Sequence, residues 1–398
     1  VLSPHPLRYA ERQLERDKLA TQAFPTLLPH KLERMMVSPL AYLRGAAPLF
    51  YELLVEFPEL AEGPDGEGWL VGDAHLENFG AFRAEDASGS ESVVFDVNDF
   101  DEAVIGPFRW DVVRLLTSVI LGGRELGSSG KQSVVLCAAI LEGYVPALCD
   151  GHVPKDVPPP VRRVLEKVGQ RTHKDLLDRR TERVGSARRF VRGDRYMDLA
   201  AELIPKARVA FQSYVEKLDP ERRLARSHFE VEDVAFRVAG TGSLGGLRIA
   251  VLTRGKGDPD ACWIFDMKAE GVPSARLLLP EPADSPPESP AVRVERAARA
   301  CLVSPPRMVG TSRLDDQSLF VRRLLPQEDK LDLLHLRAEE LPDLARYLGA
   351  RLGAAHRLGA TAKPSARWDA AMQSALTERA IVIAGLHEAA YLGLCKAI

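Results

Sequence analysis

Apolar and polar positions recur along this chain with two different periods, and the change of period divides it into regions. Residues 31–54 (KLERMMVSPLAYLRGAAPLFYELL) carry apolar side chains at helical spacing, interrupted at Ser38-Pro39. Proline there opens a new helix, because a first-turn N–H has no intrahelical partner to lose. Short apolar runs at 69–71 and 93–97 read as adjacent strands, each followed by a polar, carboxylate-rich loop. Period-3.6 patterns then predict long helices over 110–122 and 131–148 and a helical region over 161–226. From Val234 the period shortens. Leu247, Ile249 and Val251 alternate with Arg248 and Ala250, and 262–270 and 317–325 read as further strands. Helical spacing returns at 291–302, 341–358 and 368–398, the second of these rich in small residues and suited to close packing.

A chain of 398 residues is too long for one ordinary core, which predicts two lobes. With 45% hydrophobic residues and a net charge of -3, the composition is globular and carries no bias toward nucleic acid. No run approaches the roughly 18 apolar residues of a membrane span, and no apolar leader core precedes residue 30, so no span and a cytoplasmic location are expected. The five cysteines (Cys137, Cys149, Cys262, Cys301, Cys395) are scattered without CxxC or His-paired spacing. Free, mostly buried thiols follow, not a disulfide framework or a zinc site. Proline-rich 154–160 marks a boundary, and 279–291 reads as a surface loop.

Candidate chemistry sits in two places. In GDAHLENF, Asp73 and Asn78 are five residues apart, and Asp99 follows the next strand in NDFDEA. That polar set suits phosphoryl transfer: one carboxylate orients an acceptor hydroxyl, while an amide and a second carboxylate hold Mg²⁺ on the phosphates. The bland alternative is a polar turn with Asp73 as turn residue and Asn78 as cap. The second place is Gly240-Thr241-Gly242-Ser243-Leu244-Gly245. A dinucleotide-binding turn must open a helix, whereas this one leads into a strand pattern. A glycine-rich loop inside a hairpin, followed by a strand bearing Lys268, lets backbone amides approach phosphates and a lysine pair with them.

GDAHLENF resembles the catalytic loop of the aminoglycoside-phosphotransferase branch of the protein-kinase-like superfamily, and NDFDEA resembles its metal-binding segment. In that fold the glycine loop and lysine precede the catalytic loop, whereas here they come about 160 residues later. Circular permutation reconciles the order, since a site needs spatial and not sequential adjacency. The chain resembles an uncharacterised bacterial family of permuted kinase-like proteins in RMMVSPLAYLRGAA, GDAHLENFG, FDVNDFDEA, GPFRWDVVRL, AGTGSLGG and DMKAE, over most of 30–360.

The resemblance implies a two-lobed α+β protein-kinase-like fold, circularly permuted, with a small antiparallel β lobe and a large helical lobe. Residues 1–233 would form the helical lobe with the catalytic and metal loops, 234–326 the nucleotide lobe, and 327–398 helices returning to the helical lobe. ATP and Mg²⁺ would be the cofactors. Asp73 would orient or deprotonate the acceptor, His75 would brace the loop, and Asn78, Asp99 and Asp101 would hold metal. Gly240, Gly242, Ser243 and Gly245 would cover the phosphates that Lys268 anchors, with Glu295 as the lysine's partner and Glu270 competing for that role. Asp111 would brace the catalytic loop, or be a carboxylate favoured by the dipole at a helix start. Arg44 is either a snorkelling surface residue or one that reaches a phosphate or the acidic loop. The 317–325 segment would end in a hinge whose backbone could bind adenine, and His356 would be structural.

The expected activity is therefore phosphotransfer from Mg²⁺-ATP to a hydroxyl acceptor. Nucleotidyl (AMP) transfer on the same fold and a non-catalytic nucleotide-binding scaffold are the rivals. The basic run containing Arg179, Arg180, Arg183, Arg188, Arg189, Arg192 and Arg195 reads as a solvated helix face and leaves an anionic acceptor as a candidate. No nucleic-acid motif accompanies it.

Overall fold

In the computed structural model, which describes residues 5–85, 91–185, 187–218, 225–279, 288–306, 308–362 and 368–398, the chain opens with helices. These are α1 (Pro6–Ala20), α2 (Leu27–Met36), α3 (Pro39–Gly45) and α4 (Ala47–Glu56). The break at Ser38-Pro39 is a capped start: the Ala41 N–H donates to the Ser38 hydroxyl at 3.1 Å, and Pro39 occupies the first turn. Strands β1 (Glu67–Leu70), β2 (Phe79–Glu85), β3 (Glu91–Val97) and β4 (Val104–Pro107) follow. The two strands expected here are not neighbours, because β1 pairs with β4 and β3 with β2. Gly80 and Ala81, weak strand formers, hid β2 from the apolar pattern. Gly80 is nevertheless needed, since a Cβ there would lie 2.6 Å from the Asp329 carbonyl oxygen.

Next come α5 (Arg109–Glu125), α6 (Gly130–Asp150), α7 (Pro159–Gly169) and α8 (His173–Asp178). The region expected to be helical from 161 to 226 then departs from that reading. It contains an antiparallel hairpin, β5 (Thr181–Val184) with β6 (Ala187–Phe190), then β7 (Tyr196–Met197) and α9 (Leu203–Lys217). Three of the arginines of the basic run, Arg183, Arg188 and Arg192, are ion-paired. Arg188 is buried against Asp178 at 2.7 Å and Asp260 at 2.5 Å, and Arg192 meets Asp198 and Asp233. Part of the basic run is thus a structural ion-pair network.

The main sheet is antiparallel with the order β11-β12-β10-β9-β8-β7, where β8 is Val231–Arg237, β9 Arg248–Thr253 and β10 Trp263–Ala269. Helix α10 (Pro290–Cys301) connects β10 to β11 (Gly310–Leu314) and β12 (Gln317–Leu324). Alternation along β10 sorts its side chains by face. Trp263, Phe265 and Met267 pack with Ala207, Phe211 and Tyr214 of α9. Ile264 packs on the other face with Leu176, Leu177, Phe190 and Tyr196, and Asp266 and Lys268 follow it there. β7 is the edge strand of this sheet and α9 packs on its face, so both lie with the β-rich part although they precede residue 234.

A short β13 (Asp329–Lys330) adds to β2, and α11 (Leu341–Leu358) and α12 (Ala370–Ala397) complete the helical part. Small residues let α11 touch α6 at the backbone: a Cβ on Gly349 would sit 2.0 Å from the Ile140 carbonyl oxygen. By length and composition α6 and α12 are each apolar enough to cross a membrane, contrary to the expectation that no stretch comes close. More than half of the α6 window is buried within the protein. The cysteines are free, and Cys137, Cys262 and Cys301 are buried. The expected surface loop at 279–291 lies, at 280–287, outside the described residues.

Candidate active site

Asp73 sits on a turn fixed from three directions. β1 ends into Val71 and Gly72, whose N–H groups donate to the two carboxylate oxygens of Asp111 at 2.6 and 3.0 Å. The Tyr51 hydroxyl donates to the Gly72 carbonyl at 2.6 Å. Gly72 has φ +81, and a Cβ there would strike the Glu102 carbonyl, so only glycine fits. Asp111 is fully buried in the first turn of α5 and also meets His356 Nε2 at 3.0 Å, while the Tyr144 hydroxyl contacts His356 Nδ1 at 2.9 Å. Both readings of Asp111 therefore hold together, and His356 has a structural place.

The polar side chains expected at this end converge in a cavity of about 250 Å³ between the two lobes. It is lined by Asp73, His75, Asn78, Asp99 and Asp101 from the two acidic loops and by Gly240, Gly242, Ser243 and Lys268 from the β-rich part. The Asn78 amide donates to the carbonyls of Asp73 and Asp99 at 3.1 and 3.2 Å, which fixes the amide's orientation. Its Oδ1 is left buried with no hydrogen-bond partner among the described residues. Asp99 Oδ1 accepts from the Asp101 N–H at 3.3 Å. Among the described residues no three Asp, Glu, His or Cys side chains form a metal-binding group.

Charge in the cavity is strongly biased by burial. Burial raises the Asp73 carboxyl above its ordinary value, and the buried Arg114 guanidinium opposes that shift through a 2.8 Å Nε bond and a second contact from Nη2. Burial, with Arg44, Lys330 and Arg114 adding positive charge, pushes His75 well below its usual range. A neutral His75 accepts the Glu77 N–H on Nδ1 at 3.1 Å, which suits a bracing role. Glu270 is pushed up to about 7 by burial, against the pull of Lys268.

Lys268 is paired with Asp101 and has Glu270 Oε1 at 3.7 Å. Glu295 does not reach it, and this corrects the expected pairing: Glu295 binds Arg299 one turn along α10. Arg293 points inward instead, gripping the carbonyls of Ala103, Asp101 at 2.8 Å and Gly271 at 3.0 Å. Glu295 is two residues, about 200°, further round the helix. Gly245 also lies off the cavity, packed with φ +99 against Ala20 and Thr21. The rest of the glycine loop is pinned through its carbonyls, with Lys31 Nζ on Gly242 O at 2.7 Å and Arg34 Nη1 on Gly240 O at 2.5 Å. In a trans peptide this turns the N–H groups of Thr241 and Ser243 the opposite way.

Arg114, Arg293, Glu102 and Lys330 also border the site, and apolar periodicity gives no sign of them. A charged residue inside the apolar α5 was the available signal for Arg114, and three residues after Asp111 it shares that side chain's face. Arg44 lines the cavity and pairs with Glu77, so it does reach the acidic loop that holds Asp73 and Asn78. Past Lys268 the cavity continues into a compartment of about 110 Å³ lined by Val294, Ala298, Phe320, Arg248 and Arg322. Burial would raise the Asp266 carboxyl there, but Arg237, Arg248 and Arg322 override it and hold it far below the usual range. The end of the expected hinge, Leu325, opens with Pro326 and Gln327 onto a different cavity.

The family model described as "Uncharacterized protein conserved in bacteria (DUF2252)" matches residues 23–397. The chain belongs to this family. No curated protein and no solved structure matches it significantly. Membership thus spans both lobes, and the central cavity is built wholly from residues within the matched stretch.

Proposed function

We propose that this family member is an ATP- and Mg²⁺-dependent phosphotransferase acting on a hydroxyl acceptor, built on a circularly permuted kinase-like fold. One observation carries the reading: Asp73, Asn78 and Asp99 share a cavity with Gly240, Gly242, Ser243 and Lys268, about 140 residues or more away in sequence. A glycine loop in the β8–β9 hairpin, a lysine on the next strand, β10, and a helix behind that strand are the parts a kinase uses to hold phosphates. Asp73 orients the acceptor hydroxyl, and its raised carboxyl suits a proton acceptor at that oxygen. Arg114 and Asp111 hold Asp73 in place. Lys268 pairs with phosphate oxygens once it leaves Asp101, and Glu270 remains beside it.

The residues fit Mg²⁺. Asn78 Oδ1 is a buried acceptor with no partner among the described residues, and Asp99 is the nearby carboxylate of the same loop pair. Mg²⁺ is commonly held by one or two protein oxygens and substrate phosphates, and when bound it neutralises phosphate charge. Incubation with γ-labelled ATP and a nucleotide-depleted bacterial extract as acceptor source is the test. Label transfer that Asp99→Asn abolishes is expected; transfer that survives Asp99→Asn would sink the assignment.

AMP transfer is a second reading with its own support. The compartment beyond Lys268 carries Arg248 and Arg322, and α8 and the β5–β6 hairpin cover the neighbouring sheet face. Arginines there suit phosphate better than a base. Transfer of the α-label in place of the γ-label would select this reading.

A further inference from the structure

A cavity of about 640 Å³ lies apart from the central one, where β2 and the α7–α8 connection meet the β9–β10 turn and the end of β12. Arg83, Arg171, Lys256 and Arg323 line it together with Asp260. That carboxylate is already shared between Arg183 and Arg188, at 2.6 and 2.5 Å. The cations are held in preset positions. Arg323 stacks over the Trp263 ring at 4.2 Å, which fixes the plane of its guanidinium. Arg171 is anchored by the Glu328 carbonyl at 2.8 Å and by Asp329. Arg83 Nε donates to Gln327 Oε1 at 3.3 Å, and Lys256 is exposed on the Gly255–Gly257 turn with no ion pair among the described residues. Converging guanidinium groups favour oxyanions with several acceptor oxygens, and the concave shape favours a small ligand.

We propose that this cavity is a second binding site, for a compact polyanion bearing adjacent phosphoryl groups. It does not depend on the activity assigned to the central cavity. It is nonetheless tied to that cavity by two short segments: β2 runs from just after Asn78 to Arg83, and Gln327 precedes Lys330, which lines the central wall.

Calorimetric titration of the full chain with pyrophosphate, without divalent metal, tests the proposal. Wild type is expected to bind one pyrophosphate, Lys256→Glu and Arg323→Gln to bind at least about tenfold more weakly, and Lys330→Glu, a change in the central cavity, to bind as wild type. Lys256 is exposed on a turn, so its variant folds. ADP binding more tightly than pyrophosphate, with the same dependence on Lys256, assigns the phosphates to a nucleotide; weaker ADP binding assigns them to a smaller phosphorylated compound. No binding to folded wild type, or binding lost in Lys330→Glu but kept in Lys256→Glu, would overturn it.

Discussion

Replacing Arg114 by methionine tests how the candidate catalytic carboxylate is held. The guanidinium is fully buried, bonds Asp73 Oδ1 through Nε at 2.8 Å, donates to the Leu43 carbonyl at 3.0 Å and lies over the Phe50 ring at 5.0 Å. Methionine keeps most of the apolar stem and removes the charge. Breaking a buried ion pair from one side costs roughly 3–5 kcal/mol, because the partner is left desolvated without compensation. Asp73 keeps 22% of its side-chain surface, so water partly screens it and the lower end, about 3 kcal/mol, applies. Urea denaturation reads this directly. In Arg114→Met the Asp73 carboxyl also rises further above its ordinary value, since Arg114 is the charge that opposes burial. A double-mutant cycle with Asp73→Asn isolates the pair. The double variant is expected to be more stable than the sum of the singles predicts by about 1.5 kcal/mol or more. Additivity within about 0.5 kcal/mol would show that Arg114 acts through packing alone and would refute the reasoning.

Other perturbations follow from the same structure. Gly349→Ala drives a methyl to 2.0 Å from the Ile140 carbonyl oxygen and should cost about 3 kcal/mol or more in urea. Gly385→Ala, with nothing within 4 Å of its Cβ, should instead stabilise α12 by roughly 0.5–1 kcal/mol. Because the folded Glu270 carboxyl is raised to about 7, the native state holds a proton that the unfolded chain releases near 4.3. Its contribution thus falls as pH rises between those values. Glu270→Gln should therefore gain stability over wild type by up to about 3 kcal/mol at pH 8 relative to pH 4; an equal difference at both pH values would contradict the burial of that group. On α10, Glu295→Gln should change stability by less than about 0.5 kcal/mol, whereas Arg293→Met, which strands buried carbonyls, should cost about 2 kcal/mol.

What could be read from the chain beforehand was local. The small-residue helix was delimited at Leu341–Leu358, where the structure has α11, because one amphipathic period runs unbroken between its ends. The glycine loop and Lys268 were placed in strands by alternation, and the structure has them in β8–β9 and β10. What escaped depends on contacts distant in sequence. Arg188 looked like part of a solvated basic face, yet its partner Asp260 lies on the β9–β10 turn. Glu295 was chosen by sign and position, and only the phase of α10 on its neighbours shows that Arg293 faces inward instead. The pairing of β1 with β4 has no signal in either strand, since register is set by Phe108 and Asp111 folding back on the turn.

The central claim is that segments far apart in the chain form one nucleotide site. Titration of the purified protein with ATP, with and without Mg²⁺, beside Asp99→Asn and Lys268→Ala, tests it most directly. The account predicts Mg²⁺-dependent binding that weakens at least about tenfold in each variant. No ATP binding by folded wild-type protein, or binding that neither variant alters, would contradict it.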